Sequence, residues 1–116
     1  METIKAEELK RILAGAIGTP VINVLDHDTY RDRHIPATIN IPLDADDFVE
    51  RVGHHVNDRT DPVVVYCASD KCNASEKAAR KLEEAGFTRV RDFAPGIEGW
   101  EAAGYRLEGR HESTGR

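Results

Sequence analysis

Short apolar, β-branched runs recur along this chain, separated by longer polar or amphipathic stretches. Pro20-Val-Ile-Asn-Val-Leu25, Thr38-Ile-Asn-Ile41, Pro62-Val-Val-Val-Tyr-Cys67 and Thr88-Arg-Val-Arg-Asp92 each read as a strand. Prolines 36 and 42 bracket the second of them. Between the strands the period changes. Ile4, Leu9, Ile12 and Leu13 fall near one face of a helix over 4–13, with Glu7 and Glu8 in its first turn and Gly15 at its end. Asp28 suits the N-cap of a helical turn over 29–33, and Asp44 that of a helix over 45–52. An alanine-rich helix over 74–86 ends at Gly86, a residue suited to the C′ position. Pro95 to Gly104 reads as a turn and a short helix, and Gly53 to Asp61 as a polar surface loop. Strands alternating with helices predict an α/β fold, a small and mostly parallel sheet with helices on both faces and right-handed crossovers. The expected domain covers residues 1–108, followed by a polar, flexible tail over 109–116.

Composition narrows the class. One domain is expected from 116 residues, and 40% apolar with 32% charged residues suits a soluble globular chain. A net charge of −5 argues against nucleic acid as a partner. No apolar run approaches the length of a membrane span, and Met1-Glu-Thr-Ile-Lys is not a secretory leader, so a cytoplasmic protein is expected. Two cysteines in a reducing compartment suggest catalysis or redox chemistry rather than a structural staple. A metal site from Cys67, Cys72 and two histidines would match no common zinc spacing, so neither metal nor cofactor is expected. Asn73-Ala-Ser75 matches a glycosylation pattern by chance.

The chemistry gathers where strand 62–67 ends. Cys67 closes the strand, the loop Ala68-Ser69-Asp70-Lys71-Cys72-Asn73-Ala74-Ser75 follows, and the alanine-rich helix opens. In parallel sheets, ligands bind at the carboxyl ends of strands. Loop N–H groups and a helix N-terminus together favour an anion there, and a thiol so placed is favoured as thiolate. The competing reading is a buried, inert core cysteine. Elsewhere His34 reads as structural, His27, His54 and His55 as solvated, and Trp100 as a core anchor. Asp26 and Asp28 are surface acids near the mouth of the loop, and solvation is enough to explain them.

Val21-Ile-Asn-Val-Leu-Asp-His-Asp-Thr-Tyr-Arg-Asp-Arg-His-Ile-Pro-Ala-Thr-Ile-Asn-Ile-Pro42 resembles the first signature of rhodanese domains, V-I-D-V-R, four residues, then Y-x-x-G-H-I-P-G-A-x-N-I-P. Val63-Val-Val-Tyr-Cys67 resembles the strand that ends in their active cysteine. Gly96-Ile-Glu-Gly-Trp100 and Ala103-Gly-Tyr-Arg-Leu-Glu108 resemble the closing G-G-x-x-x-W and A-G-x-P-x-E. The resemblance spans residues 4–108 and implies a single-domain sulfurtransferase. Its loop cysteine takes a sulfane sulfur from a small donor as a persulfide and passes it to a thiol, cyanide-like or protein acceptor. The alignment places Cys67 at the nucleophile's position. The loop N–H groups hold the persulfide anion with no general base.

The departures bear on the donor more than on the fold. Seven residues lie between Cys67 and Ser75, two more than in the usual C-R-S-G-N-R-S, and Lys71 is the loop's one cation. Asn23, Leu25 and Arg33 stand where Asp, Arg and Gly are usual; Ala37-Thr38 replaces Gly-Ala, and Pro95 the first Gly of the last motif. Cys72 is a second thiol in the enlarged loop. It can resolve a persulfide or sulfenate on Cys67, serve as the nucleophile itself, or be inert. Two other functions share this frame: a catalytically silent binding module, and an enzyme that takes phosphate or arsenate in the enlarged loop. The missing arginine weighs against the second of these.

Overall fold

The computed structural model describes residues 1–15 and 18–110. Its elements run β1 (Glu2–Thr3), α1 (Ala6–Ala14), β2 (Val21–Asn23), α2 (His27–Asp32), β3 (Ile39–Asn40), α3 (Phe48–Gly53), β4 (Val63–Tyr66), α4 (Ala74–Glu84), β5 (Val90–Phe93) and α5 (Gly96–Ala102). The strands form one sheet in the order β1-β5-β4-β2-β3, and each of its four pairings is parallel.

The central strand decides what each face holds. Side chains alternate across a strand, so Val63 and Val65 point one way along β4 and Val64 and Tyr66 the other. On the first face Val63, Val65 and Cys67 pack with Ile22, Phe48 and Val52 and with Ala78, Ala79 and Leu82 of α4. On the second, Val64 and Tyr66 pack with Leu9 of α1, Phe93, Ile97 and Trp100 of α5, and Leu107. Both faces are therefore apolar, which is why β4 reads as an unbroken hydrophobic run. The parity also sends Cys67 to the α4 face.

Several boundaries differ from expectation, each for a local reason. β1 pairs Glu2 with Arg91 and Thr3 with Asp92. It is two exposed residues with no hydrophobic pattern, and the reading from sequence ran straight into a helix. Asp26, not Asp28, caps α2: its side chain accepts from the Thr29 N–H at 2.8 Å. α3 starts at Phe48 because turns from Pro42 to Ala45 and from Ala45 to Phe48 occupy the stretch after Asp44. The last strand is Val90–Phe93; the Thr88 N–H turns aside to the Arg59 carbonyl at 3.0 Å. Gly86 has φ +98 just beyond the Ala85 C-cap, as a C′ glycine should. At the carboxyl end the Arg110 N–H donates to the Arg31 carbonyl at 2.8 Å. Residues 111–116 of the expected tail lie outside the described residues.

The segment between α2 and β3 is pinned from below. The buried Tyr66 hydroxyl lies 2.8 Å from Thr38 Oγ1 and accepts from the Ile35 N–H at 3.2 Å. Burial pushes its pKa up to about 12. His34 is structural: it stacks on Tyr30 with centroids 3.9 Å apart, and its Nδ1 lies 2.7 Å from the Tyr30 carbonyl oxygen. Arg33 replaces a glycine without strain, since its φ of −155° is extended backbone. Ala37 is different. It holds φ +66° where the resembling motif has Gly.

A left-handed L-residue costs about 1–2 kcal/mol, offset by roughly 0.5–1 kcal/mol of extra chain entropy once glycine replaces it. Ala37→Gly should therefore raise stability by up to about 1.5 kcal/mol. Urea denaturation of the two proteins checks this; a destabilised variant would show that the Ala37 methyl makes a contact worth more than the strain.

Candidate active site

Cys67 follows directly on β4, at the carboxyl end of the sheet. The backbone at the start of the loop after it is held by α5. The Ile97 N–H donates to the Cys67 carbonyl and the Glu98 N–H to the Ala68 carbonyl, each at 3.0 Å. Gly96, at φ +66°, lies directly beneath. A Cβ there would collide with the Cys67 carbonyl oxygen and stand 2.7 Å from Ser69 N and 2.8 Å from Ala68 C. Pro95, replacing the usual first glycine, has φ −62° and opens α5, and the absence of a side chain on Gly99 leaves room for its ring.

Beyond Ala68 the chain turns back on itself. The Cys72 N–H donates to the Ser69 carbonyl at 3.1 Å, and the Lys71 N–H to Ser69 Oγ at 3.3 Å. This turn brings the Cys72 carbonyl oxygen to 3.3 Å from Cys67 Sγ and sets the two cysteines near enough that each shifts the other's pKa. Both cysteines are free. Asp70, Lys71 and Asn73 are exposed. Asn73 precedes α4 without a side-chain capping bond.

The surroundings of the two sulfurs differ in kind. Cys67 has none of its surface open to solvent. Its Sγ–H faces the Cys72 carbonyl at 3.3 Å and Ser75 Oγ at 3.5 Å. Burial and the Cys72 side chain push its pKa up, against the Ser75 hydroxyl and N–H. Cys72 is half-buried. Burial works against its thiolate too, but the Cys67 thiol and the backbone N–H groups of Ala74 and Ala68 outweigh it, so its pKa falls below the ordinary thiol value. The Ser75 N–H acts on Cys67, and those of Ala74 and Ala68 act on Cys72.

A residue that the sequence reading passed over lies behind Ser75. Asp92 stands opposite Val65 in the β4–β5 register. It is 4% exposed, and its Oδ1 has no hydrogen-bond partner. Burial raises its pKa and the Ser75 hydroxyl lowers it, with a net upward shift. Its charge also acts against the Cys72 thiolate. The hollow lined by Gly18, Thr19, Pro20, His54, His55 and Asp61 opens at the opposite, amino end of β2 and β4. Trp100 is a core anchor, its Nε1–H donating to the Arg106 carbonyl at 2.9 Å. Among the described residues no group of three or more His, Cys, Asp or Glu could hold a metal ion, and no helix is long and apolar enough to cross a membrane.

A model of the rhodanese-like domain matches residues 5–103. The chain belongs to the rhodanese-like family. Among its relatives, the putative sulfur carrier protein YrkF of Bacillus subtilis is 29% identical over 97 residues, 84% of this chain and 49% of YrkF. The thiosulfate sulfurtransferase PspE of Escherichia coli is 36% identical over 69 residues, 60% of this chain and 62% of PspE. The crystal structure of the BH2092 protein from Bacillus halodurans superposes with a TM-score of 0.80 at 30% identity, covering 96% of this chain and 79% of that one. This rhodanese-like chain thus spans less than two thirds of either curated relative.

Two measurements test the site. Cys72 should be alkylated by iodoacetamide before Cys67, with a midpoint below the ordinary thiol range, while Cys67 reacts only at higher pH; peptide mapping across a pH series reads both, and prior labelling of Cys67 would reverse the assignment. Asp92 has a folded pKa raised above its unfolded value. Its contribution to stability is therefore greatest below the unfolded value and is lost as pH rises through the folded one. Asp92→Asn should stabilise the protein near neutral pH and flatten that stretch of the profile. Urea midpoints that fall equally at pH 4 and pH 8 would rule this out.

Proposed function

We propose that this rhodanese-like chain is a sulfurtransferase that takes a sulfane sulfur from a small donor as a cysteine persulfide in loop 67–75. It would hand that sulfur to a thiol, cyanide-like or protein acceptor. The supporting observation is the pair of free cysteines at the carboxyl end of β4, with Cys67 Sγ 3.3 Å from the Cys72 carbonyl oxygen and the Cys72 pKa lowered by the neighbouring thiol and by backbone N–H groups. A thiolate is the attacking species in sulfur transfer. A covalent intermediate divides one difficult transfer into two easier ones. The names of YrkF and PspE, a sulfur carrier and a sulfurtransferase, agree with this chemistry. Retention of Cys67 at the family's nucleophile position favours it over a silent binding module. An oxyanion enzyme would need planar, bidentate recognition, and the loop offers the point charge of Lys71 beside the carboxylate of Asp70.

The same charges bear on the donor. Thiosulfate is a dianion, and position 25, where the family has arginine, holds Leu25 packed among apolar side chains. Loss of one charged hydrogen bond is worth about 1.5–3 kcal/mol, roughly one to two orders of magnitude in rate. A persulfide donor presents less charge to be matched. The value of kcat/KM for thiosulfate should therefore lie at least about tenfold below that for glutathione persulfide. Lys71→Ala should lower the thiosulfate value further. The double variant C67S/C72S should transfer no sulfur from either donor. Transfer by the double variant would refute the persulfide route; thiosulfate as the better donor, indifferent to Lys71, would refute the donor assignment alone.

A further inference from the structure

We infer that the loop resolves its own persulfide: Cys72 takes the sulfane sulfur, Cys67 then attacks Cys72, and the chain releases hydrogen sulfide and ends as a Cys67–Cys72 disulfide. This activity, a sulfane-sulfur reductase, rests on the persulfide reading above and goes beyond transfer to an outside acceptor.

The order follows from access. A donor arriving from solvent meets Cys72, which is half-buried, before Cys67, which has no exposed surface. Cys72 is also the sulfur to which the Ala68 and Ala74 N–H groups are directed. The site of the second attack follows from packing. Cys67 is enclosed by core side chains that include Val65, Ala78 and Ala79. Cys72 packs at the edge of that core and is partly open to solvent, so an added sulfur on it is accommodated on the solvent side. The sulfur left within reach of Cys67 is Cys72 Sγ itself. The turn from Ser69 to Cys72 folds the second cysteine back onto the first, whose Sγ lies 3.3 Å from the Cys72 carbonyl oxygen.

The steps balance without an outside oxidant. Cys72 thiolate attacks the outer sulfur of a persulfide R–S–SH; the new bond joins Cys72 Sγ to the sulfane sulfur, and RS⁻ leaves with the electron pair of the broken S–S bond. Cys67 Sγ then bonds to Cys72 Sγ. The bond from Cys72 Sγ to the outer sulfur breaks, and that sulfur leaves with the pair as sulfide, taking up the proton that Cys67 gives up. The sulfane sulfur gains two electrons and the two cysteines lose two. One persulfide and two thiols give one thiol, one hydrogen sulfide and one disulfide. Return to the dithiol state consumes a small-molecule or protein dithiol.

The test is a single turnover of the full chain, reduced and freed of small thiols, with one equivalent of glutathione persulfide. Sulfide is trapped with bromobimane, and the protein is blocked with iodoacetamide and digested with trypsin. Lys71 lies between the cysteines, so cleavage after it turns the disulfide into a cross-linked pair of peptides. The wild type should release one sulfide per chain above the C67S/C72S background and yield the linked pair. Cys67→Ser and Cys67→Ala should instead keep one added sulfur on Cys72 and release none, and Cys72→Ser should lose most of its uptake rate. A wild type that accumulates an alkylated persulfide without sulfide release would overturn this inference and leave the sulfurtransferase reading standing. So would rapid uptake by Cys72→Ser with an inert Cys67→Ser. A wild type that takes no sulfur at all would overturn both.

Discussion

The close approach of Gly96 to residues 67–69 governs the chemistry of the loop. With no side chain at that point, the start of α5 comes near enough for the Ile97 and Glu98 N–H groups to hold the Cys67 and Ala68 carbonyls. Two consecutive carbonyls are thereby fixed toward α5. The Ala68 N–H, on the other side of the first of those peptide groups, acts on Cys72. The amide that stabilises one thiolate is thus oriented by a contact on the far side of the strand. Any side chain at position 96 would meet backbone atoms, which cannot rotate away, so the cost would fall on the loop.

Strand parity supplies the second constraint. Cys67 continues the series Val63, Val65 and so faces α4, where Ser75 lies in the first turn and Asp92 on the neighbouring strand. A shift of one residue would carry it to the α5 face, among Tyr66, Phe93 and Trp100, with no N–H group from α4 near it. The same alternation that fills both cores therefore chooses which helix end the thiol meets. Tyr66, one residue earlier, uses the opposite face to hold Ile35 and Thr38, so the mouth of the site and its floor are tied to adjacent residues of one strand.

The features that could be read from the chain alone were those carried by local pattern. The run 62–67, the glycine at 86 and the proline-bracketed strand before Pro42 each have a physical signature within a few residues, and together with the three motifs they identified the rhodanese-like fold. β1 lacked one, because two exposed residues acquire strand geometry only from pairing with Arg91 and Asp92. Asp26 and Asp28 both suit an N-cap, and the choice between them depends on where the chain leaves β2. The contrast between the two thiols was out of reach for a different reason. It depends on the direction of individual N–H groups and on which sulfur is covered, neither of which spacing encodes. Asp92 was likewise hidden: in sequence it is a polar residue near the end of a strand, and only the packing of α4 over β5 shows that it is buried.

Asp92 gives the site its balance. Nucleophilicity of a thiolate falls with its pKa, so a thiol held too firmly as an anion attacks slowly. At Cys72 the Cys67 thiol and the Ala74 and Ala68 N–H groups pull the pKa down, while burial and the negative field of Asp92 push it up. The carboxylate itself is costly to keep, being buried with one oxygen unpartnered, and its own pKa rises for that reason. The Ser75 hydroxyl stands between the two effects, beside Asp92 on one side and 3.5 Å from Cys67 Sγ on the other. The buried carboxylate thus costs folding stability and opposes the downward pull of the N–H groups on the Cys72 pKa. Both effects are confined to one turn of α4 and one position of β5, which leaves the apolar packing on the opposite face of the sheet free of any electrostatic burden.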